Sequence, residues 1–496
     1  MNKAAYKIGR QSILIVILII LSFWFRIQGF LYSTFAFTYD VGRDMLALDN
    51  MLQTHKPLLI GATTGMHGVF YGPTWYYLLF PFFILFQGDP RGIAFIMALS
   101  GVLTALFAYL LGKNIGGRVL GIVMMTLVGV SQVLTEISTQ IWNPNFIPLF
   151  IVLFLFILTS DKFRKRKYAP IVAGLLLGII FDLEIVFGIL FAISSIVYLV
   201  FFERKYINFK LTLLSLAGFI FIQLPRLFFE FRHDFLMTRT FLNSLGSTDG
   251  SHLLTAQPRI MSTLQTLLSV WANTISWQRV SVGSLILLLV IVVLFLTYKK
   301  FEVVQKKFFG FLVITPIIYF LGLSFFNHDI ESHYYIGLPL IFLLMLSFSI
   351  VVGYLYLKKT LIVLIITVGI LACSINQLKL LSTFQKSNWV GDSSVYRNQT
   401  EIIDYIYHEA NASKFNYLVY TPPIFDYPYQ YLFKWYAVKK YGYQPETSAQ
   451  ELLFVVLEPD TMPARQKSWL EIRKNDGKIV KEKKFPSGIV VQTRTR

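Results

Sequence analysis

Three charged residues near the N-terminus are spaced so that their side chains could act together. Asp40, Arg43 and Asp44 lie in the segment 38–44 (TYDVGRD), directly after the first long apolar run. In a helix, residues three and four positions apart share a face, so Arg43 and Asp44 would lie beside Asp40. A carboxylate can accept the proton of an attacking hydroxyl, and a guanidinium can hold a phosphate through two hydrogen bonds. A helix cap with an ion pair on a solvated loop explains the same spacing.

Further polar residues lie at the ends of other apolar runs, where apolar side chains would cost less free energy. Carboxylates at membrane depth are usually functional or paired, unless the turn that carries them is solvated. The simpler alternatives are a tight Asn-Pro turn and arginines that reach lipid headgroups. The candidates for substrate binding are Tyr39, Arg43, Tyr71, Trp142, Asn143, Asp182, Glu184, Arg226, Arg232, His233, His333 and Tyr334.

Long apolar runs separate these polar positions. Of the 496 residues, 55% are hydrophobic and 15% are charged, whereas a soluble protein has about 25% charged residues. A helix crosses a bilayer with roughly 20 apolar residues. Continuous apolar stretches such as Ser284–Tyr298 argue against a membrane β-barrel, whose strands alternate. The runs lie near residues 12–30, 74–87, 92–112, 119–135, 146–160, 169–183, 185–202, 211–229, 281–298, 308–326, 335–357 and 360–376. We predict an all-α polytopic membrane protein with about ten to twelve spans.

The net charge of +18 is distributed as a topology signal and does not indicate a nucleic-acid partner. Short basic loops alternate with loops poor in Lys and Arg, which is the pattern that orients a protein in the membrane. We therefore predict a multi-pass protein of the cell membrane with a cytoplasmic N-terminus and an extracytoplasmic C-terminal domain. The predicted outer loops are 31–72, 136–145, 230–278 and 327–333.

The number of apolar runs conflicts with this orientation. A chain that begins inside and ends outside crosses the membrane an odd number of times, but there are twelve runs. One run therefore does not cross. The pair 74–87 and 92–112 is the weakest point, because the first run is short and ends at Gly88-Asp89-Pro90. The sequence leaves open whether both of them cross.

The composition changes after residue 376, which divides the chain into a transmembrane domain (1–376) and a soluble domain (377–496). Amphipathic and alternating patterns predict a small α/β domain there. Its predicted helices are 401–410, 429–440 and 464–475, and its predicted strands are 416–420, 452–457, 478–485 and 488–493. The last two strands are joined at Pro486-Ser487 and are predicted to form a hairpin.

This arrangement resembles the GT-C glycosyltransferases, above all glycosyltransferase family 39, with its protein O-mannosyltransferases and lipid A aminoarabinose transferases. The resemblance rests on the acidic motif after the first span, the long outer loop, and the segment 72–77 (GPTWYY), which partly matches the family's Pro-Pro-Leu. Asp40 matches the catalytic Asp of the family's Asp-Glu pair. Val41 replaces the Glu, so Asp44 would supply a second carboxylate. Together with 142–145 (WNPN), the pattern is similar to a bacterial branch of the family.

The resemblance implies a GT-C-like helix bundle that transfers a sugar from a polyprenyl-phosphate donor to an acceptor hydroxyl at the outer face, with inversion. Asp40 would be the general base, and Arg226 or Arg232 would hold the phosphate. The sugar, a hexose or a pentose, stays open, as does the acceptor, which would be a lipid, a glycan or a protein. Besides membrane lipids, no further partner is predicted. No cofactor or metal site is predicted either, although the His and acidic residues around His333 leave a divalent metal ion open.

Two other functions are compatible with parts of the sequence. In a secondary transporter, Asp182 and Glu184 would be coupling carboxylates, but such proteins usually contain inverted repeats, and none is evident here. A ligase or polymerase of cell-envelope glycans would also lie in the membrane. Such an enzyme often carries its key residues in a late, large outer loop, whereas the acidic motif here is in the first.

Overall fold

The computed structural model is predominantly helical, as predicted for an all-α membrane protein. It describes residues 2–66, 68–160, 163, 166–204, 207–246, 256–276, 279–325, 330–357, 392–422 and 425–496. The predicted run 360–376 and the predicted domain boundary at residue 376 lie outside these ranges. The described α-helices before residue 392 are Asn2–Tyr32, Tyr39–Thr54, Thr74–Leu85, Pro90–Val130, Gln132–Ile137, Ile147–Thr159, Ala169–Leu183, Ile185–Phe202, Phe209–Arg232, Leu236–Gly246, Ala256–Ser276, Val280–Thr297, Val303–Ser324 and Leu338–Leu357.

Seven of the described helices are long and apolar enough to cross a membrane, judged by length and composition. Three shorter apolar helices accompany them, at Thr74–Leu85, Asn143–Thr159 and Ala169–Leu183. The prediction of a multi-helix membrane protein is confirmed, although fewer single helices reach full length than there are apolar runs. The loop predicted at 230–278 contains two helices of its own, Leu236–Gly246 and Ala256–Ser276.

The segment Pro90–Val130 consists of two helices that fold back on each other. Gly116 and Gly117 leave helical geometry, and Gly117 has a φ of 81°, a conformation that costs glycine little. A Cβ atom on Gly112 would lie 2.8 Å from the Cα of Gly121, so the backbones of the two arms meet directly. The arms correspond to the apolar runs predicted at 92–112 and 119–135.

The helix Thr74–Leu85 has both ends near the C-terminal part of the chain. At its start, Trp75 and Tyr76 bond to Asp44 in the helix Tyr39–Thr54, which packs against the C-terminal domain. Directly after its end, the carbonyl of Gln87 accepts a hydrogen bond of 2.7 Å from Trp435. Twelve residues extend about 18 Å as a helix, too short for a bilayer. We therefore expect this helix to be the run that does not cross. The total number of crossings also depends on the run 360–376, which lies outside the described residues.

The C-terminal domain contains a four-stranded mixed sheet in the order β1-β2-β4-β3. The strands are Phe415–Tyr420, Leu452–Leu457, Lys478–Lys484 and Val490–Thr495, and the helices are Tyr396–Ala410, Tyr427–Leu432, Val438–Tyr441 and Pro463–Ile472. β1 and β2 are parallel, whereas β4 is antiparallel to both β2 and β3. The predicted strands and the hairpin are all present.

The C-terminal domain is docked onto the chain that follows the first helix. Ala36 and Val395 form an antiparallel bridge, and the amide of Phe37 donates to the carbonyl of Ser394 at 2.7 Å. A Cβ atom on Gly42 would lie 2.4 Å from the backbone nitrogen of Pro428, so a larger residue would force the two apart. The helix that carries Asp40 is thus held between the membrane domain and the C-terminal domain.

Candidate active site

The structure brings the three charged residues of the first loop together. Arg43 donates to Asp40 Oδ1 from Nη1 at 2.7 Å and to Asp44 Oδ1 from Nε and Nη2 at 3.0 and 2.8 Å. One guanidinium therefore links two carboxylates on one helix face. The side chain of Asp40 is 42% exposed, while that of Asp44 is 7% exposed. Asp40 is the carboxylate that a substrate can reach.

Asp44 is fixed from several sides. Besides Arg43, it accepts hydrogen bonds from the indole nitrogen of Trp75 at 2.7 Å and from the hydroxyl of Tyr76 at 3.0 Å. Burial raises the pKa of Asp44, and the Arg43 charge opposes that rise. Asp44 therefore joins the helix Tyr39–Thr54 to the helix that begins at Thr74.

Asp182 connects the loop to a second part of the membrane domain. Its carboxylate accepts a hydrogen bond from the hydroxyl of Thr74 and pairs with Arg226 Nη2 at 2.9 Å. Its backbone carbonyl accepts from the amide of Gly72 at 3.3 Å. Asp182 is 1% exposed, so it is a buried and paired carboxylate and not a solvated one. Arg226 Nε has no hydrogen-bond partner among the described residues.

Glu184 forms a second contact between the same two segments. Its Oε2 accepts a hydrogen bond of 2.8 Å from the hydroxyl of Tyr71, and its Oε1 caps the next helix through the amide of Val186. His333 Nε2 lies 3.6 Å from Glu184 Oε2. Glu184 lies in the turn between two apolar helices, and burial raises its pKa to about 7.

Four other candidate residues surround Glu184. The rings of Trp142 and Tyr334 both contact the His333 ring edge-to-face, with centroids 5.1 and 4.7 Å away. Asn143 is buried and donates from Nδ2 to the carbonyl of Leu183 at 2.6 Å. The tight connection at Trp142-Asn143 thus holds the turn that carries Glu184, and a sugar contact there stays a prediction.

The remaining three candidates form their described contacts with groups other than these carboxylates. Arg232 is exposed at the end of the helix Phe209–Arg232. The ring of His233 stacks on Phe229 with centroids 4.1 Å apart. Tyr39 packs on Tyr427 of the C-terminal domain, with centroids 5.2 Å apart. Their predicted roles in binding stay predictions. Among the residues that the structure describes, no group of three or more His, Cys, Asp or Glu side chains is arranged to hold a metal ion.

Three residues that organise this site are not among the candidates from the sequence. Thr74, Trp75 and Tyr76 belong to the segment 72–77, whose partial match to Pro-Pro-Leu gives them no role, but all three are buried and bond to Asp182 or Asp44. A usable signal did exist, because buried Trp and Tyr normally need a hydrogen-bond acceptor. The nearest unexplained acceptors in the sequence were the carboxylates of the first loop.

Comparison with known proteins finds similarity at the level of structure. No protein-family model matches the chain, and no curated protein matches it. The structure of ArnT from Cupriavidus metallidurans in the apo state is similar with a TM-score of 0.60 and 11% identity, covering 98% of each chain. ArnT from the same organism bound to undecaprenyl phosphate gives a TM-score of 0.52, with the same identity and coverage.

An archaeal structure is also similar over part of its length. The Archaeoglobus fulgidus oligosaccharyltransferase in complex with zinc and sulfate gives a TM-score of 0.47 and 17% identity over 74% of this chain. The match covers 53% of the archaeal chain, so this chain spans about half of that protein.

The chain has the GT-C fold. This conclusion rests on the full-length similarity to ArnT, on the apolar helices and on the small C-terminal sheet. The fold class predicted from the first-loop motif and the order of the apolar runs is confirmed.

Proposed function

We propose that this protein is a membrane glycosyltransferase that transfers a sugar from a polyprenyl-phosphate carrier to an acceptor hydroxyl at the outer face. The observation that carries the proposal is the exposed carboxylate of Asp40, held by Arg43 above a buried set of paired carboxylates. One of the two similar ArnT structures has undecaprenyl phosphate bound, which supports a lipid-phosphate donor here.

In this mechanism the acceptor hydroxyl attacks the anomeric carbon of the donor sugar, with inversion. Asp40 takes the hydroxyl proton as the new C–O bond forms and the bond from the anomeric carbon to the phosphate oxygen breaks. The polyprenyl phosphate leaves with its negative charge, so it needs a cation more than it needs an acid. Arg43 orients the Asp40 carboxylate through the 2.7 Å contact.

Arg232 is the better of the two predicted phosphate ligands. Arg226 already pairs with Asp182, whereas Arg232 is exposed. Phe228 and Phe231, on the same helix, are 63% and 67% exposed. A lipid tail lying along these rings would bring its phosphate to Arg232.

Asp182 and Glu184 have a positioning role in this proposal. Each accepts a hydrogen bond from the segment that closes the first loop. These contacts support a structural role for the two carboxylates. In a transporter they would instead have to bind and release protons.

The direct test is incubation of the purified full chain with several polyprenyl-phosphate sugars. Mass spectrometry would follow the release of the polyprenyl phosphate. We expect release with at least one donor when an acceptor extract is added. If the polyprenyl phosphate is released from none of a broad set of donors, the proposal of a lipid-phosphate donor is wrong.

A further inference from the structure

A cavity separate from the candidate active site lies between the membrane domain and the C-terminal domain. Its volume is about 610 Å³, and none of its lining residues belongs to the candidate active site. Its membrane side is formed by the end of the helix Asn2–Tyr32 and the start of the helix Pro90–Val130. The C-terminal domain closes it with the beginning of the helix Tyr396–Ala410 and with residues 435–440.

The cavity has an excess of positive charge. Arg91, Arg397, Lys439 and Lys440 line it, against one lining carboxylate, Asp89. Asp89 is engaged by Arg91. Close by, the Asp404 carboxylate pairs with Lys440 at 2.8 Å. The lining residues thus include four cations and one carboxylate, and this composition favours an anionic ligand.

Lys439 contributes charge that is not neutralised within the described part of the chain. Its ammonium lies 5.1 Å from the centroid of the Trp435 ring, and no carboxylate among the described residues pairs with it. Its side chain is exposed. An ammonium held over an indole beside an open cavity is available to an incoming anion.

The cavity lies beside the end of the first apolar helix. Leu31 and Tyr32, on its wall, end this helix and are 52% and 39% exposed. The chain leaves the helix at Ser33, whose carbonyl accepts a hydrogen bond from the amide of Arg397 at 3.1 Å. A span ends where the hydrocarbon core ends, so this helix, as a membrane span, would place the cations beside its end in the polar layer of the bilayer.

We propose that this cavity binds the phosphate-bearing headgroup of an anionic membrane lipid and thereby fixes the C-terminal domain on the bilayer. The cations take the phosphate, and the aromatic rings of Tyr32, Trp435 and Tyr436 occupy the interfacial layer where such side chains concentrate. The acyl chains extend beside the exposed end of the first helix.

The test compares two charge reversals in the full chain purified in detergent. Lys439→Glu removes the cation next to Trp435. Lys467→Glu makes the same change of net charge on an exposed position of the helix Pro463–Ile472, which packs on the other face of the sheet. Binding of short-chain phosphatidylglycerol, short-chain phosphatidylcholine and inorganic phosphate is measured by native mass spectrometry and thermal shift.

We expect phosphatidylglycerol to bind the wild type more tightly than phosphatidylcholine does. Lys439→Glu should weaken this binding by about fivefold or more, because each basic group at an anionic surface contributes roughly one such factor. Lys467→Glu should leave it unchanged. Equal weakening in both variants, or equal binding of phosphatidylcholine, overturns the proposal. If inorganic phosphate binds as tightly as phosphatidylglycerol, the ligand is a soluble phosphate and the lipid assignment is wrong.

Discussion

At the scale of single residues, Asp40 and Asp44 differ in their surroundings although they lie on one helix. Asp44 is buried and accepts hydrogen bonds from Arg43, Trp75 and Tyr76. Among the described residues, the Asp40 carboxylate accepts a hydrogen bond from Arg43, and its side chain is 42% exposed. The spacing in the sequence predicts their common face, but it cannot distinguish the two, because the groups that bury Asp44 lie some thirty residues further along the chain.

The raised pKa of Glu184 leads to a prediction about how the stability of the protein depends on pH. Its folded pKa of about 7 lies above its ordinary value of 4.5, so the folded state binds the proton more tightly than the unfolded state. The stability that this proton contributes is complete below about pH 4.5 and is lost as the pH rises through about 7. We expect Glu184→Gln, which stays neutral, to flatten the fall in melting temperature between about pH 5 and pH 7.

This prediction is checked by thermal unfolding of both proteins in one detergent across that pH range. Tyr71→Phe serves as a control, because it removes the hydrogen bond to Glu184 but keeps the titrating carboxyl. An unchanged pH slope in Glu184→Gln would show that other groups cause the dependence.

Arg226 and Arg232 should respond differently to truncation. Arg226→Ala leaves the buried Asp182 without its cation, which we expect to lower stability by about 3–5 kcal/mol. Arg232→Ala should leave the melting temperature unchanged and weaken donor binding by about tenfold, the value of a charge-assisted hydrogen bond. Donor titration and thermal unfolding of both variants separate these effects. Unchanged donor affinity in Arg232→Ala would reassign this residue to contact with lipid headgroups.

At the scale of elements, the segment 71–76 connects the three buried carboxylates of the site. We call this segment the clamp. Its polar groups reach three buried carboxylates, namely Glu184 from Tyr71, Asp182 from Thr74, and Asp44 from Trp75 and Tyr76. The segment 72–77 and the carboxylates Asp182 and Glu184 stand out in the sequence. Their pairing does not, because partners about 110 residues apart leave no local pattern.

A substitution at Gly72 tests whether the clamp holds Asp182 in place. A Cβ atom there would lie 1.9 Å from Asp182 Cγ, so Gly72→Ala must displace the carboxylate from Thr74 and Arg226. We expect a loss of about 1–3 kcal/mol, as for other overpacked sites, and a matching loss of transfer activity. Gly65→Ala, in the same loop, is the control, because its added methyl group meets open space. Equal melting temperatures for the two variants would contradict this account of the clamp.

At the scale of the whole molecule, the contacts hold the first loop and the C-terminal domain together, so we expect both on the same side of the membrane. Ala36 bridges Val395, and the turn at Gly88 accepts a hydrogen bond from Tyr431. We expect the shared side to be the outside, because the loops around 162–167 and 299–307 are basic. Reporter fusions after residues 167, 307 and 390 should report inside, inside and outside. A cytoplasmic signal at 390 would refute this topology.

Most of the membrane architecture was predictable, because apolar runs and basic loops are local features. The runs at 92–112 and 119–135 appear as the two arms joined at Gly116-Gly117. The sequence left open whether the runs 74–87 and 92–112 both cross. Trp435 contacts the end of the helix Thr74–Leu85 from the other end of the chain, and no local pattern reveals such a contact.

The central claim, that Asp40 is the general base of a sugar transfer, is tested most directly by the rate of polyprenyl-phosphate release in Asp40→Asn. The change keeps size and hydrogen bonding but removes the basic carboxylate, so we predict a loss of at least about 100-fold with an unchanged melting temperature. Asp44→Asn should lose less activity but more stability, because Asp44 is buried and bonded from several sides. An active Asp40→Asn beside an inactive Asp44→Asn would move the base by one helical turn. Full activity in both variants would contradict the account.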